Sequence, residues 1–442
     1  MGIPHFLAIP FPVQGQVNPL MQFCHILTKH GYKVTFLHTE FSYKRRNNNT
    51  INTEKDNSKI KFVTFPDGLG AEDDRSDLVK VLFSMKNTMP ALFPKIIEEI
   101  NGLDVENKIS CLIVTMNMGW AIEVGYMLGI KGAFFFAASA ASLASCYCIP
   151  KLIHDGIIDS NGIPTKKQEI QLSPNLPKMN TSDLPWLSLG KTFFTNHLVP
   201  EMQIMMKYGE WWLCNSAYDL EPGAFSLSQR FSPIGPLMEI ESNNSLFYDE
   251  DTTCLNWLDQ HAPKSVIYVS FGSLVVVEPN QFNELALGLD LMNKPFLWVI
   301  RPGNDNNAYP NEFNGSKGKI VSWVPQKKVL NHPSIACFIT HCGWNSTIEG
   351  LCSGVPFLCW PFFIDQFMDK SYICDVWKVG LGLEKDENGL ITKGEIENKV
   401  DQVLGYDDIR ARSLELKEIA INNIEEGGKS AKNLEKFIKW AK

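Results

Sequence analysis

The sequence predicts two consecutive doubly wound α/β domains facing a cleft, and three observations carry that prediction. At 442 residues the chain is too long for one compact core. Apolar, β-prone runs alternate with helical patterns in both halves, which implies parallel strands joined by helical crossovers. The alternation breaks once, at 233–253, where Pro, Gly, Ser, Asn and acidic residues cluster.

In the first half, strands are expected at 5–11 (HFLAIPF), 32–39 (YKVTFLHT), 59–65 (KIKFVTF), 110–115 (SCLIVT), 132–137 (GAFFFA) and 211–217 (WWLCNSA). Helical patterns separate them at 18–30, 78–100 and 118–128. These strands are almost continuously apolar, as burial on both faces of a sheet requires. The alternation restarts with 265–273 (SVIYVSFGS), 296–300 (FLWVI), 319–324 (KIVSWV), 335–341 (IACFITH) and 355–360 (VPFLCW), and the chain ends in helices. The expected organisation is an N-terminal domain over 1–235, a linker over 236–253, and a C-terminal domain over 254–425. A last helix at 426–442 is expected to pack back on the first domain. Ligands of such sheets lie beyond the carboxyl ends of the strands.

Composition narrows the function classes. A net charge of −8 argues against a nucleic-acid partner, and Lys44-Arg45-Arg46 is read as a solvated loop. The eleven cysteines show no CxxC or Cys/His spacing, so they are read as buried thiols in a reducing cytosol. The N-terminus lacks the basic and long apolar regions of a signal peptide. Residues 132–150 carry no charge, but their Ala and Ser content fits a buried strand and a small-residue helix better than a membrane span. A cytoplasmic monomer without integral membrane association is expected. Asp249-Glu250-Asp251 looks like a metal triplet but falls in the linker, where solvated carboxylates are expected.

Residues 323–366 concentrate the chemistry. The β-rich run 335–341 leads through Gly343 into a helical pattern opened by Asn345-Ser346-Thr347. A strand entering a helix through small polar residues presents backbone N–H groups and a positive dipole end, which is an anion site. Glu349 lies four residues after Asn345, one turn behind that site, where a carboxylate can accept hydrogen bonds from vicinal sugar hydroxyls. Phosphate and ribose together spell nucleotide. The glycine fingerprint of dinucleotide-binding oxidoreductases is absent, because Gly15 stands alone and Gly380-Leu381-Gly382 precedes no helix start. Walker A, GxSxG and HExxH sequences are absent too.

The 323–366 block resembles the signature of plant family 1 UDP-glycosyltransferases, which have the GT-B fold of two Rossmann-like domains. Trp is its first residue and Gln the last of forty-four. The resemblance extends to the PFPVQGxxNP opening, the CLIVTMNMGWAIEV segment, SFGS at 270–273 and the C-terminal helices. It implies that Trp323 stacks on uracil while the backbone of Val324 reads its edge. Gln326 and Glu349 would hold the ribose, and Ser273, His341, Asn345 and Ser346 the diphosphate. Trp344, Asp365 and Gln366 would hold the sugar. The terminal Gln favours UDP-glucose as co-substrate, and no metal or other cofactor is expected, since a helix dipole and neutral donors can stabilise departing UDP.

The resemblance fails at one place. Family members carry a base His after the glycine of the first loop, and an Asp about a hundred residues later that orients it. Here Gln16 and Thr115 occupy those positions, and neither side chain is a base near neutral pH. His5, His25, His30 and His38 are read as structural. Four readings follow: a glucosyltransferase with an atypical or weakened base, a UDP-sugar-binding pseudoenzyme, a scaffold repurposed for a different reaction on a small apolar metabolite, or substitutions introduced to trap a complex. The acceptor, phenolic, carboxylate or terpenoid-like, is expected against Gln16, Thr115, Asn117, Met118, Phe136, Ser139, Met85 and Leu187.

Overall fold

The computed structural model describes residues 3–49, 60–238, 250–301 and 309–442, without the side chains of 45–49. Most of the expected linker (239–249, with Asp249) and the side chains of Arg45 and Arg46 therefore lie outside the described residues. The chain forms two compact units. The first runs to Leu176, resumes at Asn180 and takes in Asn423–Lys442, and the second holds Pro177–Met179 and the later stretch up to Asn422.

Seven strands make the sheet of the first unit: β1 (His5–Ile9), β2 (Lys33–Thr39), β3 (Ile60–Phe65), β4 (Ile109–Thr115), β5 (Lys131–Phe136), β6 (Trp211–Cys214) and β7 (Phe231–Pro233). Their order is β3-β2-β1-β4-β5-β6-β7, with every pairing parallel. All five residues of β1 are buried, the result of helices covering both faces. The helix Leu78–Leu103 shows why the pattern is legible. Asp77 caps it by accepting from the N–H groups of Val79 and Lys80, and Val81, Leu82, Met85, Met89, Phe93, Ile97 and Ile100 form its buried stripe. The last helix, Lys429–Ala441, buries Phe437 against Phe6, Phe23 and Trp211, and Ser430 donates to the carbonyl of Gly235.

The second unit repeats the design with β8 (Val266–Ser270), β9 (Phe296–Val299), β10 (Gly318–Val321), β11 (Ile335–Thr340), β12 (Phe357–Cys359) and β13 (Gly380–Gly382). Their order is β10-β9-β8-β11-β12-β13, again all parallel. Trp298, Phe282, Leu285 and Ile396 belong to the core on one face of this sheet. In each unit the strand order reverses between two neighbours, β1 and β4 in the first and β8 and β11 in the second. The carboxyl ends of those pairs are where a doubly wound sheet opens a crevice.

The edge strands β7 and β13 and the helix Glu40–Asn49 are among the additions to the elements expected from the sequence. Both strands have three residues and pair along one side only, so they are too short for a periodic signal. The uncharged stretch 132–150 holds most of β5 and the helix Ala140–Tyr147, and no described helix is long and apolar enough to cross a membrane.

Candidate functional site

In the second unit, β11 ends at Thr340 and the helix Trp344–Ser353 begins four residues later, with Gly343 at its N-cap and no side-chain cap. Its first turn therefore directs backbone N–H groups outward at the crevice of this sheet. The loop after β8 meets the loop after β11 through His341. A Cβ on Gly272 would lie 2.6 Å from Nε2 of His341, and one on Gly343 would lie 2.4 Å from the same atom. Only glycines at both positions let the imidazole nest between the two loops, next to Ser273. Burial pushes the imidazole down to about 4, so it is neutral at physiological pH, and its Nδ1 is buried without a partner.

One turn into the helix, Glu349 accepts from Nε2 of Gln326 at 2.8 Å, and Oγ of Ser346 accepts from the same nitrogen at 3.0 Å. The hydroxyl of Tyr268 donates to Oε1 of Gln326 at 2.9 Å, fixing which way that amide points. Gln326 and Glu349 thus come from different elements and stand together with their hydrogen-bonding groups oriented. Burial raises the Glu349 carboxyl, while Lys327 and the Gln326 bond act the other way. Trp323 is half-buried just beyond β10, and Val324 behind it is buried.

Asp365 and Gln366 follow β12. Ile364, immediately before them, has φ +58°, a conformation a β-branched residue rarely adopts, and such strain collects at functional loops. Cys342, directly after His341, has φ +66°. Oε1 of Gln366 accepts from the N–H groups of Phe362 and Phe363, leaving its Nε2 to offer a ligand. Burial raises the Asp365 carboxyl to about 6. Among the described residues no group of three or more His, Cys, Asp or Glu is placed to hold a metal ion. Asp251, from the linker triplet, accepts from the N–H and hydroxyl of Thr253 at the start of the next helix.

The corresponding crevice of the first unit is built differently. Thr115 ends β4 fully buried, and its Oγ1 accepts from the N–H of Phe11 at 2.8 Å, tying β4 to the loop after β1. Gln16 sits in the first turn of the helix Gln14–Lys29, and its Oε1 is buried without a partner.

Comparison with known proteins decides the family. Residues 196–419 match the model of the family described as UDP-glucoronosyl and UDP-glucosyl transferase. UDP-glycosyltransferase 83A1 of Arabidopsis thaliana is 39% identical, over 100% of this chain and 97% of its own length. This chain belongs to that family. The 7-deoxyloganetin glucosyltransferase of Gardenia jasminoides is 32% identical, covering 98% of this chain and 97% of its own. Phytolacca americana UGT2, solved with UDP-2fluoro-glucose and pterostilbene, superposes with a TM-score of 0.81 at 25% identity, over 99% of both chains. Os79 from O. sativa, solved with UDP, gives a TM-score of 0.82 at 23% identity over 99% of this chain and 100% of its own. The fold is GT-B, and the chain is a glycosyltransferase of the class that uses UDP-sugars on small molecules.

Within this glycosyltransferase, the acceptor-side positions scatter over several elements of the first unit. Asn117 is half-buried in the loop after β4, with φ +77°. Met118 and Met85 are almost wholly buried, Phe136 ends β5, and Leu187 is half-buried in a short 3₁₀ turn. Ser139 is buried and caps the helix Ala140–Tyr147 by accepting from the N–H of Ser142. His5 is structural: its ring nitrogens meet Thr35 Oγ1 at 2.8 Å and the Asn107 carbonyl at 2.9 Å. His38 packs against Phe36 and Phe62. Sequence reasoning passed over His197 and Glu201, which both reach the loop after β4: His197 bonds Asn117 at 2.8 Å and Glu201 accepts from Gly119 N–H at 2.8 Å. Their i, i+4 spacing is the one signal that could have paired them.

Proposed function

We propose that this chain is a UDP-glucose-dependent inverting glycosyltransferase acting on a small plant metabolite with an atypical or weakened base. The arrangement of Tyr268, Gln326 and Glu349 behind the Gly343 helix start carries this reading. A preoriented amide and carboxylate one turn from an anion-binding N-terminus suit a ribose joined to a diphosphate. Trp323 and Val324 then take the uracil, and Ser273, His341, Asn345 and Ser346 take the diphosphate. Trp344, Asp365 and Gln366 take the glucose. The acceptor oxygen attacks C1 from the side opposite UDP and gives up its proton to water, because neither Gln16 nor Thr115 is a base, while an already ionised carboxylate has none to give. The C1–O bond to the diphosphate breaks, and its electron pair leaves with UDP. The helix dipole and neutral N–H donors stabilise that charge, with no metal required.

The names of relatives support a small acceptor: one is a 7-deoxyloganetin glucosyltransferase and another an (R)-mandelonitrile beta-glucosyltransferase. A second reading has its own support. Thr115 spends its hydroxyl on Phe11 N–H, and Gln16 is no base, as expected of a UDP-sugar-binding pseudoenzyme or a repurposed scaffold. Incubation with UDP-glucose and a mixed panel of phenols, alcohols and carboxylates, read by mass spectrometry, separates the two. Addition of a hexose to any acceptor is the expected result. Thermal stabilisation by UDP-glucose with no transfer selects the second reading, and no stabilisation by UDP overturns both.

A further inference from the structure

The helices that follow β4 and β5 in the first unit start differently from the one that follows β11 in the second. The helix Trp344–Ser353 has no side-chain cap, whereas the helix Ala140–Tyr147 has all four donors of its first turn taken. Oε2 and Oε1 of Glu221 accept from the N–H groups of Ala140 and Ala141 at 3.0 and 2.9 Å. Ser139 takes the next two, Ser142 through its hydroxyl and Leu143 through its carbonyl. Glu221 comes from beyond β6, eighty residues after Ala141. The helix Gly119–Met127 repeats the device, since Oε1 of Glu201 accepts from the Gly119 N–H at 2.8 Å.

Both carboxylates are buried. The charge of Glu221 is met by the helix start rather than by a cation, through two N–H groups and the positive end of the dipole. Burial raises its carboxyl to about 7, while Ser216 and the Ala141 and Ala140 N–H groups act the other way. The titratable neighbour is Cys214, whose thiol burial keeps protonated. Burial raises Glu201 to about 7 as well, opposed by the Gly119 N–H, by Lys86 and by the Asn117 backbone, and His197 one turn before it stays neutral. Protonation turns one carboxyl oxygen into a donor, and an N–H facing it loses its acceptor. Ionisation therefore costs global stability through desolvation while it orders the helix start locally. Strands β4 and β5 are neighbours, so residues 116–118 and 137–139, which lead into the two helices, lie side by side at the carboxyl edge of the sheet.

We propose that Glu221 and Glu201 are positioning residues, internal anions that hold residues 137–139 and 116–118 in place for sugar transfer and release them on protonation without affecting UDP. They act through backbone N–H groups and not on substrate. The effect on rate rests on the transferase reading, whereas the ordering of the two loops stands apart from it. The first unit thus spends its own carboxylates on helix starts, where the second presents one to a diphosphate.

The test follows backbone amide exchange of the full chain by NMR, corrected for intrinsic rates, at pH 6 and pH 8. UDP affinity is measured by calorimetry, and transfer from UDP-glucose with 2-naphthol as the probe acceptor. In the wild type, protection of the Ala140 and Ala141 amides should rise about tenfold from pH 6 to pH 8, as expected for hydrogen bonds to a group that gains a charge. Glu221→Gln should keep the low protection at both pH values, and Glu221→Asp, which restores the charge on a shorter arm, should recover part of the rise. Glu201→Gln should do the same to the Gly119 amide. UDP affinity should not change in any variant. The ratio of kcat/KM between wild type and Glu221→Gln, in which ionisation of the phenol cancels, should grow about tenfold over the same interval. Wild-type protection that ignores pH, protection retained in Glu221→Gln, or a flat ratio despite responsive amides overturns the proposal. Responsive amides in a chain that transfers no sugar overturn the transferase reading instead and leave the two clamps standing.

Discussion

The two units share a strand order, yet their crevices do opposite things with it. In the second unit, the loops after β8 and β11 meet around His341, and Gln326, Glu349 and Ser346 are already joined by hydrogen bonds. In the first, the loops after β1 and β4 are tied by Thr115 to Phe11 N–H, while Gln16 Oε1 and His197 Nδ1 are left without partners. One crevice has its polar side chains already joined to one another, and the other leaves acceptors unpartnered without a base at the expected place. A doubly wound sheet fixes where a site lies, and the side chains in its loops decide what the site can do.

The largest expected effect breaks that contrast. Gln16→His with Thr115→Asp should raise glucosylation of phenols by about 10²–10⁴, the usual worth of a general base. Steady-state kcat/KM measures it, and no change would mean that the first crevice differs in more than these two residues. Next, Glu349→Ala or Gln326→Ala should weaken UDP by about ten- to a hundredfold in calorimetric titration, since hydrogen bonds to charged groups are worth about 1.5–3 kcal/mol. Gln16→Ala should leave UDP affinity alone.

A pair of glycine substitutions sharpens the comparison at a smaller scale. Gly343→Ala would put a Cβ 2.4 Å from His341 Nε2 and should lower UDP affinity about tenfold by displacing the imidazole. Gly119→Ala would put one 2.6 Å from Glu201 and should cost about 1–3 kcal/mol in urea unfolding with UDP affinity unchanged. A pH dependence probes the same loop. Burial raises Glu201 from an ordinary 4.5 to about 7. Between those values the folded chain keeps a proton that the unfolded chain releases, so stability falls as pH rises through that window. Glu201→Gln removes the loss, and its stability relative to wild type should therefore grow between pH 5 and pH 8 in urea titrations. Glu221, also raised to about 7, is common to both proteins and cancels.

The turn from β11 into the helix Trp344–Ser353 was legible because it is local. Strand, glycine, helix start and Glu349 fall within a single stretch of chain, and helical spacing alone brings Ser346 and Glu349 onto neighbouring turns. Most strands were legible because parallel strands covered on both faces are continuous apolar runs, and β1 and β11 are buried from end to end. The short edge strands β7 and β13 were not, since three residues hold no period. His197 was illegible for a different reason. Its partner Asn117 lies eighty positions earlier, and nothing in either local sequence marks the pairing.

By itself, the sequence determined the α/β class and most of its strands, and it placed Ser346 and Glu349 on neighbouring turns of one helix, because these follow from hydrophobic periodicity and from helical spacing. Tertiary structure alone decided that Gly272 and Gly343 make the nest for His341, that Thr115 spends its hydroxyl on Phe11, and that His197 faces Asn117. Each of those depends on two loops or helices brought together by the stacking of strands far apart in the chain. Close approach of that kind is set by packing in three dimensions, and no one-dimensional pattern encodes it.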